Sequence, residues 1–215
     1  THQEYFNYNL KEIRDSSNFF VNNTNLESYN IVINNNKIKN IYLKGPSKSG
    51  KSHLINMWVK NNNSILYKNN LKEILDLKKN VAIDNLFLKI KEEDVFHIIN
   101  HCKNENLKIF ITSNLDTNEY NFKLTDLKSR LKNCLFAEIQ KPDDILIQAL
   151  ITKNLADYQI TLNSKLIDFI SKRITRSYGK IREFICTIDE ISLKKKKPIN
   201  MKKIKEILEE KLEKI

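Results

Sequence analysis

The chain has 215 residues, of which 40% are hydrophobic and 29% are charged, and it carries a formal net charge of +11 at pH 7. This length can bury a sizeable core, and this composition excludes an intrinsically disordered chain. No apolar run approaches membrane-spanning length, and the N-terminus has no basic segment followed by an apolar one. No membrane partner is therefore expected.

The net charge and the cysteines indicate the kind of partner and the cellular compartment. A charge of +11 suggests a polyanionic neighbour, such as nucleic acid or an acidic protein surface, although the general abundance of Lys and Asn would produce it as well. Cys102, Cys134 and Cys186 are widely spaced and form no C-x-x-C motif. They are expected to be reduced thiols in a cytoplasmic protein.

Residues 1–18 are polar and irregular and are predicted to be an N-terminal extension. Within them Gln3-Glu4-Tyr5-Phe6 is either a peptide that inserts aromatic side chains into a partner's groove or a segment that packs on its own domain. A helix is predicted from about 25 to 35, with Leu26, Tyr29 and Ile33 on one face.

The segment 45–52 matches G-x-x-x-x-G-K-[ST], the pattern of a phosphate-binding P-loop. Its residues are Gly45, Pro46, Ser47, Lys48, Ser49, Gly50, Lys51 and Ser52. It follows an apolar run, 38–43, and precedes a helix predicted over about 51–61. Backbone N–H groups of such a loop converge on phosphate, and the following helix adds its positive N-terminal end. Lys51 is then expected to contact the β- and γ-phosphates of ADP or ATP, and Ser52 to bind Mg²⁺.

The next elements alternate between strand and helix. Strands are predicted at 65–67, 81–83, 107–112 and 135–139, with helices at about 71–77, 91–102 and 125–131. This alternation predicts an α/β fold with a parallel sheet covered by helices on both faces.

Asp84 ends the 81–83 strand, where P-loop proteins place the carboxylate that helps to hold Mg²⁺. The alternative is a solvated turn residue. In P-loop hydrolases of this layout a second carboxylate follows and polarises the attacking water, but here that position is Asn85, whose amide cannot accept the proton. Weak or absent intrinsic ATP hydrolysis is therefore expected.

Two further side chains have two interpretations each. Asn114, after the 107–112 strand, is either a γ-phosphate ligand or a turn former. Arg130 is either a surface arginine or a finger aimed at the nucleotide of a neighbouring subunit. Arg182, three residues after Gly179, stands at the start of a predicted helix, from which it could swing back over the phosphates.

After Pro142 only helical patterns follow, at 143–157, 163–175, 179–192 and 201–214. These patterns predict a nucleotide-binding domain at 19–140 followed by a small all-helical lid domain at 141–215. His97 and His101 lie one helical turn apart but lack a convergent third ligand, so a metal site there is not expected. The lysines at 194–197 are most simply a solvated loop, and contact with phosphates is the alternative.

Together these residues resemble the AAA+ ATPase domain of the DnaA family of replication initiators over nearly the whole chain. Residues 18–25 are similar to the family segment that wraps the adenine, which implies base contacts from Phe20 and Val21. The P-loop resembles the family's as far as His53 and Leu54. The resemblance also implies roles for four other side chains: magnesium binding for Asp84, sensor 1 for Asn114, the arginine finger for Arg130 and sensor 2 for Arg182.

Two departures favour one branch of the family. The sequence ends with what resembles the last lid helix, without a helix-turn-helix domain, and Ile83-Asp84-Asn85 is similar to the motif of the short Hda-like paralogues. That branch implies binding of ADP or ATP, attachment to the DNA polymerase sliding clamp through an N-terminal peptide, and stimulation of ATP hydrolysis by the DnaA initiator. Arg130 would then act in trans. The peptide at 3–6 matches the branch's Q-L-x-L-like pattern only at Gln3 and a following apolar pair.

The expected function is therefore nucleotide-dependent regulation of chromosomal replication initiation. The alternatives are a DNA-binding ATPase of the initiator or helicase-loader type, and the ATPase fragment of a longer DnaA initiator. Contact of the basic surface with DNA and assembly into a homo-oligomer stay open at this point.

Overall fold

The computed structural model describes residues 19–34, 40–86, 90–195 and 201–212, and for Asn34, 193–195 and 210–212 it describes the backbone alone. Five parallel strands form one sheet in the order β2-β3-β4-β1-β5. They are β1 (Asn40–Lys44), β2 (Ser64–Leu66), β3 (Asn80–Ile83), β4 (Ile109–Ser113) and β5 (Leu135–Glu138). The predicted parallel α/β fold is confirmed.

Five helices connect or flank the strands: α1 (Leu26–Asn34), α2 (Lys51–Asn61), α3 (Leu71–Asp76), α4 (Glu92–Asn104) and α5 (Thr125–Lys132). Four more follow β5: α6 (Asp144–Asp157), α7 (Ser164–Ser171), α8 (Tyr178–Lys195) and α9 (Met201–Leu212). Helices were predicted at all of these places, and α7 is the one that ends clearly early, at Ser171 rather than near 175.

Each central strand divides its side chains between two cores, because successive strand residues point to opposite faces of the sheet. In β1, Tyr42 belongs to a core built with α4 and α5, whereas Ile41 and Leu43 belong to a second core built with α1 and α2. Strands β3 and β4 divide in the same way. Both faces are therefore buried, which explains the continuous apolar runs of these strands.

The helices after β5 surround a third core that draws on α6, α7, α8 and α9. Two of them begin at side-chain caps: Asp143 Oδ1 accepts the Leu146 N–H at 2.7 Å, and Asn163 Oδ1 accepts the Leu166 N–H at 2.8 Å. Each cap satisfies an N–H that the first helical turn would leave without a partner.

Two hydrogen bonds join these helices to the segments before α1 and after β5. Asn22 Nδ2 donates to Asp143 Oδ1 at 3.0 Å, and the Tyr178 hydroxyl donates to the Gln140 carbonyl at 3.0 Å. Leu146 and Tyr178 also belong to the core between the sheet, α1 and α2. The first turns of α6 and α8 therefore pack against the same core as β1 and α2, the two elements that flank the P-loop.

Candidate nucleotide-binding site

The loop 45–50 leads from the end of β1 into α2. The Gly45 N–H donates to the Ser113 carbonyl at 3.1 Å, which ties the loop to β4. A Cβ atom at Gly45 would lie 2.8 Å from Ser49 Oγ and 3.1 Å from Ile139 Cβ, so a larger residue there would have to displace both side chains. Gly50 caps α2 with φ of 96°, in the left-handed region that favours glycine.

Lys51 begins α2 and is 4% exposed. Its ammonium donates to the Gly45 carbonyl at 2.7 Å, to the Pro46 carbonyl at 2.8 Å and to Asn114 Oδ1 at 2.7 Å. All three acceptors are neutral oxygens. Burial lowers the pKa of Lys51 to about 8, against the opposing influence of the Asp84 carboxylate.

A second cluster of oxygens lies at the carboxyl ends of β3 and β4. The Ser52 hydroxyl donates to Asp84 Oδ2 at 2.6 Å, and the Thr112 hydroxyl donates to Asp84 Oδ1 at 2.6 Å. Both carboxylate oxygens of Asp84 are thus held, so its orientation is set before any ligand arrives. The solvated-turn alternative for Asp84 does not describe this geometry.

The site brings together four of the predicted residues: Lys51, Ser52, Asp84 and Asn114. Asn114 follows β4 directly, and β4 lies between β1 and β3 in the sheet. Its amide oxygen therefore reaches the P-loop lysine, and the simple turn-former interpretation is incomplete.

An aromatic group covers the loop. Phe19 stacks on Tyr29 with ring centroids 5.8 Å apart, and its centroid lies 5.5 Å from that of His53. A Cβ atom built on Gly50 would lie only 2.8 Å from Cε2 of the Phe19 ring, so the ring packs directly against this glycine. Base contacts were predicted for Phe20 and Val21, and Phe20 is 42% exposed. The aromatic side chain that contacts the P-loop is Phe19.

These residues fit a nucleotide and its metal ion. Ser49 Oγ is buried and has no hydrogen-bond partner among the described residues, and it lies in the loop that leads into the N-terminus of α2. The buried ammonium of Lys51 suits anionic phosphate oxygens, and the hydroxyl of Ser52 with the carboxylate of Asp84 suits the hard oxygen preference of Mg²⁺.

Asn85 occupies the position after the metal carboxylate with φ of 55°. Its N–H donates to the Thr112 hydroxyl at 3.0 Å, which holds the left-handed backbone conformation that Asn tolerates. The side chain at this place is an amide, so it offers no base of the kind expected in a P-loop hydrolase.

Arg130 lies apart from the hydrogen-bonded cluster. It stands on α5 with its guanidinium carbon 4.8 Å from the centroid of the Phe96 ring on α4. Its Nε is buried without a hydrogen-bond partner among the described residues. A cation–π contact thus holds the guanidinium against its own subunit.

Arg182 is exposed on α8, in the helical part of the chain. Its charge acts on Tyr158 at the end of α6, where it opposes the burial that raises the pKa of that tyrosine. The structure thus places Arg182 beside α6. A role over the phosphates stays a prediction.

The two histidines predicted on one helix lie apart from the nucleotide site. His101 Nε2 lies 3.3 Å from the Leu77 carbonyl, and His97 packs its ring edge-on against Phe96. Over the described ranges, no group of three or more metal-ligating side chains is found. No helix within those ranges is both long and apolar enough to cross a membrane. The proposed clamp peptide at 3–6 lies outside the described residues.

Two residues of the site were not predicted. Thr112 carried no signal of its own, since threonine is common in strands. Phe19 precedes the predicted Phe20, and neighbouring residues of an extended segment point in opposite directions. Only the packing of this segment against α1 and α2 shows which of the two rings meets the loop.

Comparison with known proteins identifies the fold. No family model matches the chain. The chromosomal replication initiator protein DnaA of Buchnera aphidicola subsp. Baizongia pistaciae is 28% identical, over 75% of this chain and 41% of that protein. Domain III of the Thermotoga maritima DnaA superposes with a TM-score of 0.74 and 18% identity, covering 90% of this chain and 95% of that one. The chain has the fold of a DnaA-type AAA+ ATPase domain.

Other solved structures share this fold. A replication initiator DnaA bound to AMPPCP and single-stranded DNA has a TM-score of 0.65 and 19% identity, with 84% and 67% of the two chains covered. The Thermotoga maritima RuvB branch-migration motor has a TM-score of 0.64 and 13% identity, with 85% and 67% covered. The resemblance to DnaA-type AAA+ domains is thus confirmed, and this domain spans 41% of the length of the curated relative that it matches.

Proposed function

We propose that this DnaA-type AAA+ domain binds ADP or ATP with Mg²⁺ at the loop 45–52 and serves replication initiation as a nucleotide-dependent component. The observation that carries the proposal is the buried ammonium of Lys51, whose three acceptors are neutral carbonyl oxygens. A buried cation without an anionic hydrogen-bond partner is costly, and phosphate oxygens would supply the missing charge.

The residues divide the work as follows. Lys51 would bind the β- and γ-phosphate oxygens, and loop N–H groups at the start of α2 would complete the anion site. Ser52 and Asp84 would hold Mg²⁺, which neutralises phosphate charge when bound. Asn114, which already accepts a hydrogen bond from Lys51, would report on the γ-phosphate. Phe19, with His53 and Tyr29 beside it, offers an apolar surface for the base.

Titration with a fluorescent ADP analogue tests nucleotide binding. Lys51→Ala should weaken binding at least about a hundredfold, because it removes charge-assisted hydrogen bonds to phosphate. Lys60→Ala, an exposed lysine at the other end of α2, is the matched control and should bind normally. Because the buried charge of Lys51 is unfavourable in the free protein, Lys51→Ala should fold at least as stably. Tight ADP binding by Lys51→Ala would refute the assignment of the site.

A finer proposal is that the domain regulates the initiator rather than hydrolysing ATP efficiently itself, as in Hda-like proteins. Asn85 supports this, because no carboxylate follows Asp84 to polarise a water. An arginine supplied to a partner's nucleotide needs no base in its own site, and Arg130 is the candidate. The DnaA-type initiator and the sliding clamp are the partners proposed, and a homo-oligomer would use the same arginine between like subunits.

The competing proposal is a DNA-binding ATPase, either a helicase loader or part of a longer initiator. Multiple-turnover ATPase assays with and without DNA separate the two. The regulator should show little turnover alone and should accelerate hydrolysis by the initiator, and Arg130→Ala should remove that acceleration while it leaves ADP binding intact. Robust DNA-stimulated turnover by the domain alone would decide for the ATPase instead.

A further inference from the structure

The positive charge of the chain is concentrated in one region. Residues 163–205, a fifth of the chain, contain 13 lysines and arginines but only four aspartates and glutamates, and so carry +9 of the net charge of +11. A general bias towards lysine would spread the charge evenly. This concentration therefore distinguishes a polyanion-binding surface from compositional bias.

A few of the described residues of this region form a surface on α7 and α9, which we call the α7–α9 surface. It consists of Lys165, Phe169, Arg173, Lys202 and Lys205. Lys165, Phe169 and Arg173 follow each other at intervals of four residues along α7 and its C-terminal turn, so they share one face. Lys202 and Lys205 are three residues apart on α9. All four cationic residues are exposed.

Two of the cations converge on one aromatic ring. The Arg173 guanidinium carbon lies 3.8 Å from the Phe169 centroid, and the Lys205 ammonium lies 5.9 Å from it. The two charges are therefore less than about 10 Å apart, within one Debye length at moderate salt. Among the residues that the structure describes, no acidic side chain forms an ion pair with either of them.

The acidic residues beside the α7–α9 surface pair with other lysines and do not neutralise its charges. Asp168 pairs with Lys172 at 2.8 Å, and Glu206 pairs with Lys203 at 2.7 Å. The cations on the α7–α9 surface are left facing solvent and each other. Like charges this close repel unless an anion lies between them.

The geometry of Arg173 suits phosphate in particular. Its guanidinium lies against the Phe169 ring, and Nη1 donates to the Phe169 carbonyl at 3.4 Å, so the group is held in place. A guanidinium held in this way keeps its other N–H groups available for bidentate contact with a phosphate. The lysines on either side would contact neighbouring phosphates of the same strand.

We propose that the α7–α9 surface binds the phosphodiester backbone of DNA. The proposal goes beyond the nucleotide site, because it shares no residue with it. It also gives the helical part of the chain a role of its own, since a DNA strand bound there would move with α7 and α9.

The test compares two triple variants by fluorescence anisotropy with a labelled single strand and a labelled duplex of about 30 nucleotides across a salt series. One variant replaces Lys165, Arg173 and Lys205 with Gln. The control replaces Lys60, Lys103 and Lys132 with Gln, which makes the same change in net charge on α2, α4 and α5. Both variants are checked for ADP binding and for thermal unfolding.

The first variant should lose about tenfold or more in DNA affinity at low salt. Its slope of log K (the association constant for DNA) against log salt should become less negative by about 2 to 3. The control should lose less than about twofold, and ADP binding should be normal in both. Equal losses in the two variants, or no salt-dependent DNA binding by the unaltered protein, would overturn the proposal. Failure of ADP binding in the unaltered protein would count against the nucleotide site alone. The single-stranded and duplex arms decide which form is preferred.

Discussion

The hydroxyl of Thr112 joins two parts of the nucleotide site, because it donates to Asp84 Oδ1 at 2.6 Å and accepts the Asn85 N–H at 3.0 Å. Thr112 is fully buried in β4, two residues before Asn114. Thr112 thus fixes the Asp84 carboxylate, which would hold Mg²⁺. The proposed phosphate sensor, Asn114, directly follows the strand that contains Thr112. Thr112 is a positioning residue, since it acts through Asp84 and Asn85.

Thr112→Val removes this hydroxyl with little change in shape. The stability of the domain should fall by about 1.5–3 kcal/mol, the usual worth of a hydrogen bond to a charged group. The gain in ADP affinity that Mg²⁺ provides should fall about tenfold, because Asp84 loses its fixed orientation. Urea unfolding and ADP titration with and without Mg²⁺ measure the two effects.

Thr112→Ser is the matched control, because serine keeps the donor and the acceptor. It should restore most of the Mg²⁺ effect. If Thr112→Val binds ADP with an undiminished Mg²⁺ effect, the hydroxyl has only a structural role.

Replacing glycine by alanine should have opposite effects on the stability of the domain at Gly50 and at Gly179. Gly50→Ala forces a side chain into the left-handed region and into the Phe19 ring, 2.8 Å away. It should cost about 1–2 kcal/mol for the backbone alone and should weaken nucleotide binding. Gly179→Ala lies in α8, where the only contact of the new methyl group among the described residues, apart from the backbone of its own helix, is Ser177 Oγ at 3.7 Å. It should stabilise the domain by about 0.5–1 kcal/mol.

Thermal unfolding and ADP titration of both variants check this pair. A Gly50→Ala protein as stable as the unaltered one would show that the loop can adopt another conformation. A destabilised Gly179→Ala protein would show that α8 begins differently from the structure.

The parts of this fold that depend on local sequence could be predicted. The P-loop is a contiguous pattern, so Lys51 and Ser52 were assigned from spacing, and the buried strands followed from runs such as Ile41-Tyr42-Leu43. Asp84 and Asn114 were assigned because each ends an apolar strand. These assignments did not require knowing that β3 and β4 are neighbours in the sheet.

The contacts that depend on strand order could not be predicted. Thr112 reaches Asp84 because β3 and β4 are neighbours, and Asn114 reaches Lys51 because β4 also pairs with β1. Strand neighbours are set by long-range packing, which periodicity does not report. That Phe19, and not Phe20, lies against the P-loop could not be predicted for the same reason. It depends on how the segment at 19–22 lies against α1 and α2.

The lowered pKa of Lys51 predicts a pH dependence of nucleotide binding. The pKa of about 8 in the free protein lies below the ordinary value of 10.5, because burial disfavours the charged form. Phosphate favours the charged form, so above pH 8 binding must take up a proton. ADP affinity should fall as the pH rises from 8 towards 10, by up to about tenfold per pH unit.

The stability of the free protein should change in the opposite sense. Between pH 8 and about 10.5 the unfolded chain binds more protons at this lysine than the folded chain does, so the contribution of Lys51 to stability rises with pH. Lys51→Met removes both effects and is the control. An ADP affinity with the same pH dependence in Lys51→Met would place the titrating group elsewhere. Isothermal titration calorimetry in two buffers measures the proton uptake directly.

Two substitutions of Arg173 separate charge from shape on the α7–α9 surface. Arg173→Gln removes a charge, so the slope of log K for DNA against log salt should fall by about 0.7–0.9. Arg173→Lys keeps the charge, and its slope should stay unchanged. Its affinity should nevertheless fall about threefold to tenfold at every salt concentration, because an ammonium cannot stack on Phe169 and make a bidentate phosphate contact.

The stability of both variants should stay within about 0.5 kcal/mol of the unaltered protein, as is usual for exposed residues. A role for Arg173 in holding α7 together would instead lower stability and DNA affinity in parallel. If Arg173→Lys binds DNA as tightly as the unaltered protein, the guanidinium contributes only its charge. In that case the stacking on Phe169 has no part in recognition, and the charge at position 173 acts together with the lysines of α7 and α9.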